Sequence, residues 1–123
     1  MKRDMNLIRR IVLAVRSHEG RPGAGEVQSL ISDSENDVFG YHIALLVQSE
    51  MMSGVDTGPR KDRFGVTNLA LTWAGQNFAD NILNDEVWAS CQKSLDDAKL
   101  ESASFEVWSR IAIARITDRL GSS

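Results

Sequence analysis

The residue types that most often carry out chemistry are few in this chain and lie far apart. Cys91 is the only cysteine, and the two histidines, His18 and His42, have no third ligand at a suitable spacing. A zinc site needs three or four such ligands close together, so we expect no metal site. The glycine-rich stretch 20–25 lacks the lysine of a nucleotide-binding loop. We therefore expect a non-enzymatic protein without a cofactor, in which Cys91 is a small buried hydrophobic residue.

Charged residues, in contrast, are clustered. Residues 26–58 carry six acidic side chains and no basic ones, although the net charge of the chain is only −3. Basic residues form a stripe at seven-residue intervals near the start of the chain and a cluster after the acidic region. These clusters are candidate binding surfaces, the acidic one for a protein and the two basic ones for nucleic acid, and a solvated helix face gives the same pattern. The acidic face, as we name it, is Asp33, Glu35, Asp37, Glu50 and Asp56; the basic stripe is Lys2, Arg9 and Arg16; the basic cluster is Arg60, Lys61 and Arg63.

Hydrophobic periodicity predicts helices in the N-terminal half of the chain. Apolar residues at helical spacing predict a first helix over residues 2–18. Alternation of apolar and polar residues predicts a short strand over 26–31. A second helix is predicted over 34–48, with Asp33 or Ser34 as its N-cap, and Gly40 interrupts its pattern.

The sequence predicts a hairpin followed by helices in the second half of the chain. Two strands separated by the loop around residues 56–63 form the hairpin, and its tip carries the basic cluster. The predicted N-caps of the three following helices are Thr72, Asn84 and Ser104. We expect the first of these helices to bury Trp73, Phe78 and Ile82.

This order of elements predicts a mainly helical α+β protein of the winged-helix type with additional C-terminal helices. We expect one domain over residues 1–123, in which 1–71 form the helix-turn-helix and wing and 72–123 pack on it. No apolar run is long enough to span a membrane. No signal-peptide pattern begins the chain, so we expect a cytoplasmic protein without a membrane partner.

Several segments carry a family likeness in their sequence and order. They are 1–9 (MKRDMNLIR), 41–46 (YHIALL), 71–78 (LTWAGQNF), 84–88 (NDEVW) and 104–107 (SFEV). In this order they resemble the domain-of-unknown-function family 2513 (DUF2513), small proteins of bacteria, phages and prophages. The family pattern has an acidic residue and a histidine where this chain has Ala74 and Gln76. The resemblance implies a winged-helix-like fold and an association with mobile elements, and it implies no activity.

Three modes of binding follow from the charge pattern. The leading interpretation is a protein partner bound through the acidic face. Together with the association with mobile elements that the resemblance implies, it suggests a phage or mobile-element modulator of a host nucleic-acid-handling or defence complex. The alternative is a DNA-binding transcriptional regulator, in which helix 34–48 presents Tyr41, His42 and Gln48 and the basic cluster contacts phosphate. The third is a homodimer held by charge between residues 2–16 and 33–56 of two copies.

Overall fold

The computed structural model describes residues 2–31, 35–56, 66–100 and 103–121. Within these ranges the protein is mainly helical, with six helices and one two-stranded antiparallel sheet, so the predicted α+β class is confirmed. Two compact units are present, Met1–Ala79 and Asp80–Ser123. The elements are α1 (Met5–Ser17), α2 (Ala24–Ile31), α3 (Asn36–Gln48), β1 (Met52–Asp56), β2 (Val66–Leu71), α4 (Trp73–Ile82), α5 (Asp85–Asp97) and α6 (Phe105–Gly121).

Helix α1 forms as its apolar pattern predicts. The Asp4 carboxylate caps it by accepting hydrogen bonds from the backbone N–H groups of Asn6 at 3.0 Å and Leu7 at 3.3 Å. This cap satisfies two of the amides that a helix start leaves without partners. The apolar stripe is fully inside the first unit: Met5, Leu7, Ile8, Ile11, Val12 and Val15 are all buried.

The strand predicted over 26–31 is wrong, because these residues belong to helix α2. Gly23 is the N-cap: its carbonyl accepts from Val27 N–H, and its own N–H donates to the Glu26 carboxylate at 3.3 Å. This reciprocal arrangement resembles a capping box and stabilises a helix start. Ala24 and Val27, three residues apart, are both buried and lie on one side of α2. The alternation of apolar and polar residues over 26–31 therefore does not reflect a strand.

Helix α3 is continuous through Gly40, which does not interrupt it as predicted. Glu35 occupies the N-cap position without a side-chain hydrogen bond. The predicted caps Asp33 and Ser34 lie outside the described residues. Phe39, Ile43 and Leu46 are fully buried and form the inner side of the helix.

The predicted hairpin is confirmed. Strands β1 and β2 pair antiparallel from Met52 opposite Leu71 to Asp56 opposite Val66, with an irregularity between Ser53 and Val55. Strand β2 is also hydrogen-bonded to the segment before α2: Leu69 N–H donates to the Pro22 carbonyl at 2.8 Å. The tip of the hairpin, with Arg60, Lys61 and Arg63, lies outside the described residues.

The three predicted C-terminal N-caps are all confirmed. Thr72, Asn84 and Ser104 each accept a backbone N–H with a side-chain oxygen, at 3.0–3.2 Å. In the second unit, α5 and α6 pack through Trp88 and Trp108, whose rings stack with centroids 4.2 Å apart. Cys91 is fully buried, as predicted. No helix in the described part of the chain is long and apolar enough to cross a membrane.

The expected inner face of α4 is only partly correct. Phe78 and Ile82 are buried, but Trp73 is 84% exposed. Residues 73 and 78 are five apart, which at 3.6 residues per turn places their side chains on different sides of the helix. Trp73 is therefore a large aromatic side chain at the surface.

Candidate functional site

Helix α3 brings several predicted site residues onto one outer stripe. Asp37 and Gln48 are exposed and Tyr41 is half-buried. Their spacing, four and then seven residues, keeps them on one side of the helix. The acidic residues of the described segment 35–56 (Glu35, Asp37, Glu50 and Asp56) are all exposed, and the segment holds no lysine or arginine. Asp33, the remaining member of the acidic face, lies outside the described residues.

His42 does not belong to this outer stripe, because it is fully buried. Its Nε2 accepts a hydrogen bond from the backbone N–H of Asp4 at 2.8 Å, and its Nδ1 lies 2.7 Å from the Val38 carbonyl oxygen. A neutral imidazole with its proton on Nδ1 makes both hydrogen bonds. The side chain therefore ties α3 to the start of α1. His42 cannot reach a ligand from this position, which corrects its prediction as a nucleic-acid contact.

The structure describes the basic stripe but not the basic cluster. Lys2 precedes α1, Arg9 is half-buried on it and Arg16 is exposed in its last turn. None of the three is free of interactions within the chain. The basic cluster of Arg60, Lys61 and Arg63 lies outside the described residues, so its position relative to α3 stays a prediction.

A groove that the sequence interpretation missed lies at the C-terminal end of α3. Its volume is about 570 Å³, and its walls come from the end of α3, the start of β1 and the first turn of α4. Trp73 and Glu50 both line it. The signal in the sequence was the spacing of α4: Gly75, Phe78, Ala79 and Ile82 are buried together, which leaves Trp73 on the opposite side.

The backbone around Glu50 is unusual. Glu50 follows α3 with a φ of 63°, in the left-handed region that normally favours glycine. Its N–H donates to the Val47 carbonyl and the next N–H, of Met51, donates to the Leu46 carbonyl, both at 3.1 Å. These bonds end the helix and satisfy its last carbonyls. A non-glycine residue in this conformation raises the free energy by about 1–2 kcal/mol.

Threonine and glycine then hold α4 against this turn. Thr72 Oγ1 donates to the Glu50 carbonyl at 2.5 Å, and Thr72 N–H donates to the Met51 carbonyl at 3.1 Å. Gly75 lies so close that a Cβ atom there would be 1.9 Å from the Met51 carbonyl oxygen. These contacts hold the start of α4 against the turn after α3, and Trp73 and Glu50 line the groove that results.

Two candidate chemical groups can be tested against the described part of the chain, a metal cluster and the Cys91 thiol. Among the residues that the structure describes, no group of three His, Cys, Asp or Glu side chains could hold a metal ion. Burial raises the pKa of the Cys91 thiol, and the Arg115 guanidinium opposes this shift only in part. A buried thiol that keeps its proton is a poor nucleophile.

Comparisons with known proteins identify relatives of this chain. Residues 2–101 match the family described as "Hypothetical protein (DUF2513)". An "Uncharacterized protein" of Haemophilus influenzae is 30% identical over 105 residues, which cover 82% of this chain and 84% of the relative. No solved structure is significantly similar to the chain.

Proposed function

The chain belongs to the DUF2513 family, and we propose that it is a non-enzymatic winged-helix protein that binds a protein partner through its acidic face. The partner surface would be basic, such as one that ordinarily contacts nucleic acid. A phage or mobile-element modulator of a host nucleic-acid-handling or defence complex would act in this way.

The winged-helix part of the proposal is supported by the order and connection of the elements. Three helices precede the hairpin, and the link from Leu69 to Pro22 joins the segment before α2 to β2. In a winged helix, the helix before the hairpin is the one that enters the major groove of DNA. Helix α3 holds this place, so its outer stripe determines which partner the scaffold accepts.

The charge of the segment that contains this stripe carries the choice of a protein partner: Asp37 lies on the stripe, and the other acidic residues flank it in the chain. The described segment 35–56 exposes four carboxylates and contains no lysine or arginine. DNA affinity comes largely from the neutralisation of phosphates by basic side chains. A carboxylate and a phosphate about 6 Å apart in water repel each other by about 0.7 kcal/mol. Each acid facing DNA would therefore weaken binding, whereas each would attract a basic protein surface.

The alternative is a transcriptional regulator that uses helix 34–48 and the basic cluster at the hairpin tip. The arrangement of helices and hairpin favours it, since this scaffold often binds DNA. Tyr41 and Gln48 would then be the base contacts of α3. In the regulator, Arg60, Lys61 and Arg63 would have to supply most of the phosphate contacts.

A mobility-shift titration at low salt separates the two functions. We expect the wild-type protein to leave random and native-operon duplexes unshifted. Salt-sensitive retardation would contradict a protein partner, since log K falls by about 0.9 per neutralised phosphate for each tenfold rise in salt. Loss of that retardation in an Arg60→Ala, Lys61→Ala variant would assign DNA binding to the wing.

A matched pair of charge reversals tests the acidic face itself. The protein is used to capture partners from a lysate of the organism that encodes it. We expect Glu35→Lys with Asp37→Lys to lose the partner. Asp96→Lys with Asp97→Lys changes the net charge equally at exposed positions of α5, and it should keep the partner. Equal capture by both variants would show that the acidic face is not the binding surface.

A further inference from the structure

We propose that the groove beside Trp73 is a binding pocket for a guanidinium or ammonium group, supplied by an arginine or lysine side chain of the protein partner. This inference rests on the proposed function and names the chemistry by which the partner is recognised. The occupant is placed between the Trp73 ring and the Glu50 carboxylate.

Exposure of Trp73 is the first observation. An 84% exposed tryptophan gains little from packing within its own fold. Its aromatic face attracts cations, and tryptophan is the best of the aromatic residues in this role. Because Trp73 lines a wide, open groove of about 570 Å³, a side chain of a partner can reach it from solvent.

The hydrogen-bonding chemistry of the groove selects a donor. Ser49, Ser53 and Thr72 line it, and each hydroxyl donates to a backbone carbonyl of the fold: those of Leu46, Ala70 and Glu50. The hydroxyl oxygens of Ser49 and Ser53 and the Glu50 carboxylate are left as acceptors, while Thr72 Oγ1 already accepts the Gly75 N–H. A ligand rich in N–H groups fits this set, whereas a nucleic-acid phosphodiester, which only accepts hydrogen bonds, does not.

The backbone of Glu50 points the same way. A glycine at this position would avoid the strain of the left-handed conformation, yet the chain carries a carboxylate there. Thr72 fixes the Glu50 carbonyl directly. The same turn therefore sets the position of the acidic residue relative to Trp73.

A short peptide tests the pocket without knowledge of the partner. The probe is a tetra-arginine peptide at low ionic strength, and its neutral counterpart is a tetra-citrulline peptide of nearly the same shape. The signal is the NMR shift of the Trp73 indole N–H. A Trp73→Phe variant identifies its resonance, because Trp88 and Trp108 are buried and remain in place.

We expect saturable binding of the arginine peptide and a shift of the Trp73 resonance. Glu50→Gln should weaken binding about fivefold to tenfold, since it removes one charge-assisted hydrogen bond at an exposed site. Trp73→Ala should abolish it. Leu30→Ala, at a 60% exposed apolar residue outside the groove, should leave it unchanged. Amide spectra of each variant establish that the fold is retained.

Three results would overturn the assignment. One is equal binding of the citrulline peptide, which would indicate an apolar groove. Another is an affinity that Glu50→Gln leaves unchanged. The third is a Trp73 shift with a single-stranded oligonucleotide in place of the arginine peptide, which would indicate base stacking. The two experiments separate the two proposals. If the arginine peptide does not bind and DNA is not retarded in the mobility-shift titration, the pocket is refuted but the proposal of a protein partner is not. If DNA is retarded, the proposed function itself is refuted.

Discussion

Replacement of Gly75 by alanine is the sharpest test of how α4 is held against the turn after α3. An alanine Cβ would lie 1.9 Å from the Met51 carbonyl oxygen and 2.9 Å from its carbonyl carbon. Both atoms belong to the backbone, so no side-chain rotation relieves the overlap. The two segments would have to separate by about 1.5 Å to restore an ordinary contact.

This separation determines the size of the effect. Overpacking of a tight contact costs about 1–3 kcal/mol. The movement also strains the two hydrogen bonds that cross this contact, from Thr72 N–H to the Met51 carbonyl and from Thr72 Oγ1 to the Glu50 carbonyl, each worth about 1 kcal/mol. Alanine recovers about 1 kcal/mol over glycine in a helix. We expect Gly75→Ala to lower the free energy of unfolding by about 2–4 kcal/mol.

Urea denaturation followed by far-ultraviolet circular dichroism measures this loss. Gly25→Ala is the matched control, since Gly25 also lies in a helix and a Cβ there would meet no atom within 4 Å. The control should be neutral or stabilised by up to about 0.5 kcal/mol. If Gly75→Ala is as stable as Gly25→Ala, the close approach between α4 and the turn is refuted.

Three further changes test other parts of the fold. Asn84→Ala should lower the free energy of unfolding by about 1 kcal/mol through loss of the α5 cap, while Asn84→Asp should not. His42→Leu should lower it by about 1–3 kcal/mol, since the Asp4 N–H loses its acceptor; a smaller effect than that of Asn84→Ala would argue against the inter-helix role. The Cys91 thiol should react with a disulfide reagent far more slowly in the native protein than in urea, because burial both shields it and raises its pKa. Equal rates would mean that this region opens readily.

Local patterns in the sequence determined much of the fold. The stripe of α1, the hairpin and the caps Thr72, Asn84 and Ser104 depend on residues close in sequence, and they form as predicted. The acidic character of the segment around α3 is also a property of the sequence alone, because no other part of the chain can change it.

The tertiary structure determined which side of each helix is buried. Helix α2 reads as a strand until the Gly23 cap and the burial of Ala24 with Val27 are seen. The sequence allows His42 to be either a packing residue or a surface contact, and only the structure shows that Asp4, 38 residues earlier in the chain, is its hydrogen-bond donor.

Trp73 is the clearest case. Its size predicts burial, but the close approach of Gly75 to Met51 turns the other side of α4 inward and leaves the ring at the surface. The sequence by itself determined that the region around α3 is acidic and that Thr72 begins a helix. Only the tertiary structure, through a contact between residues far apart in the chain, brought Trp73 and Glu50 to one groove.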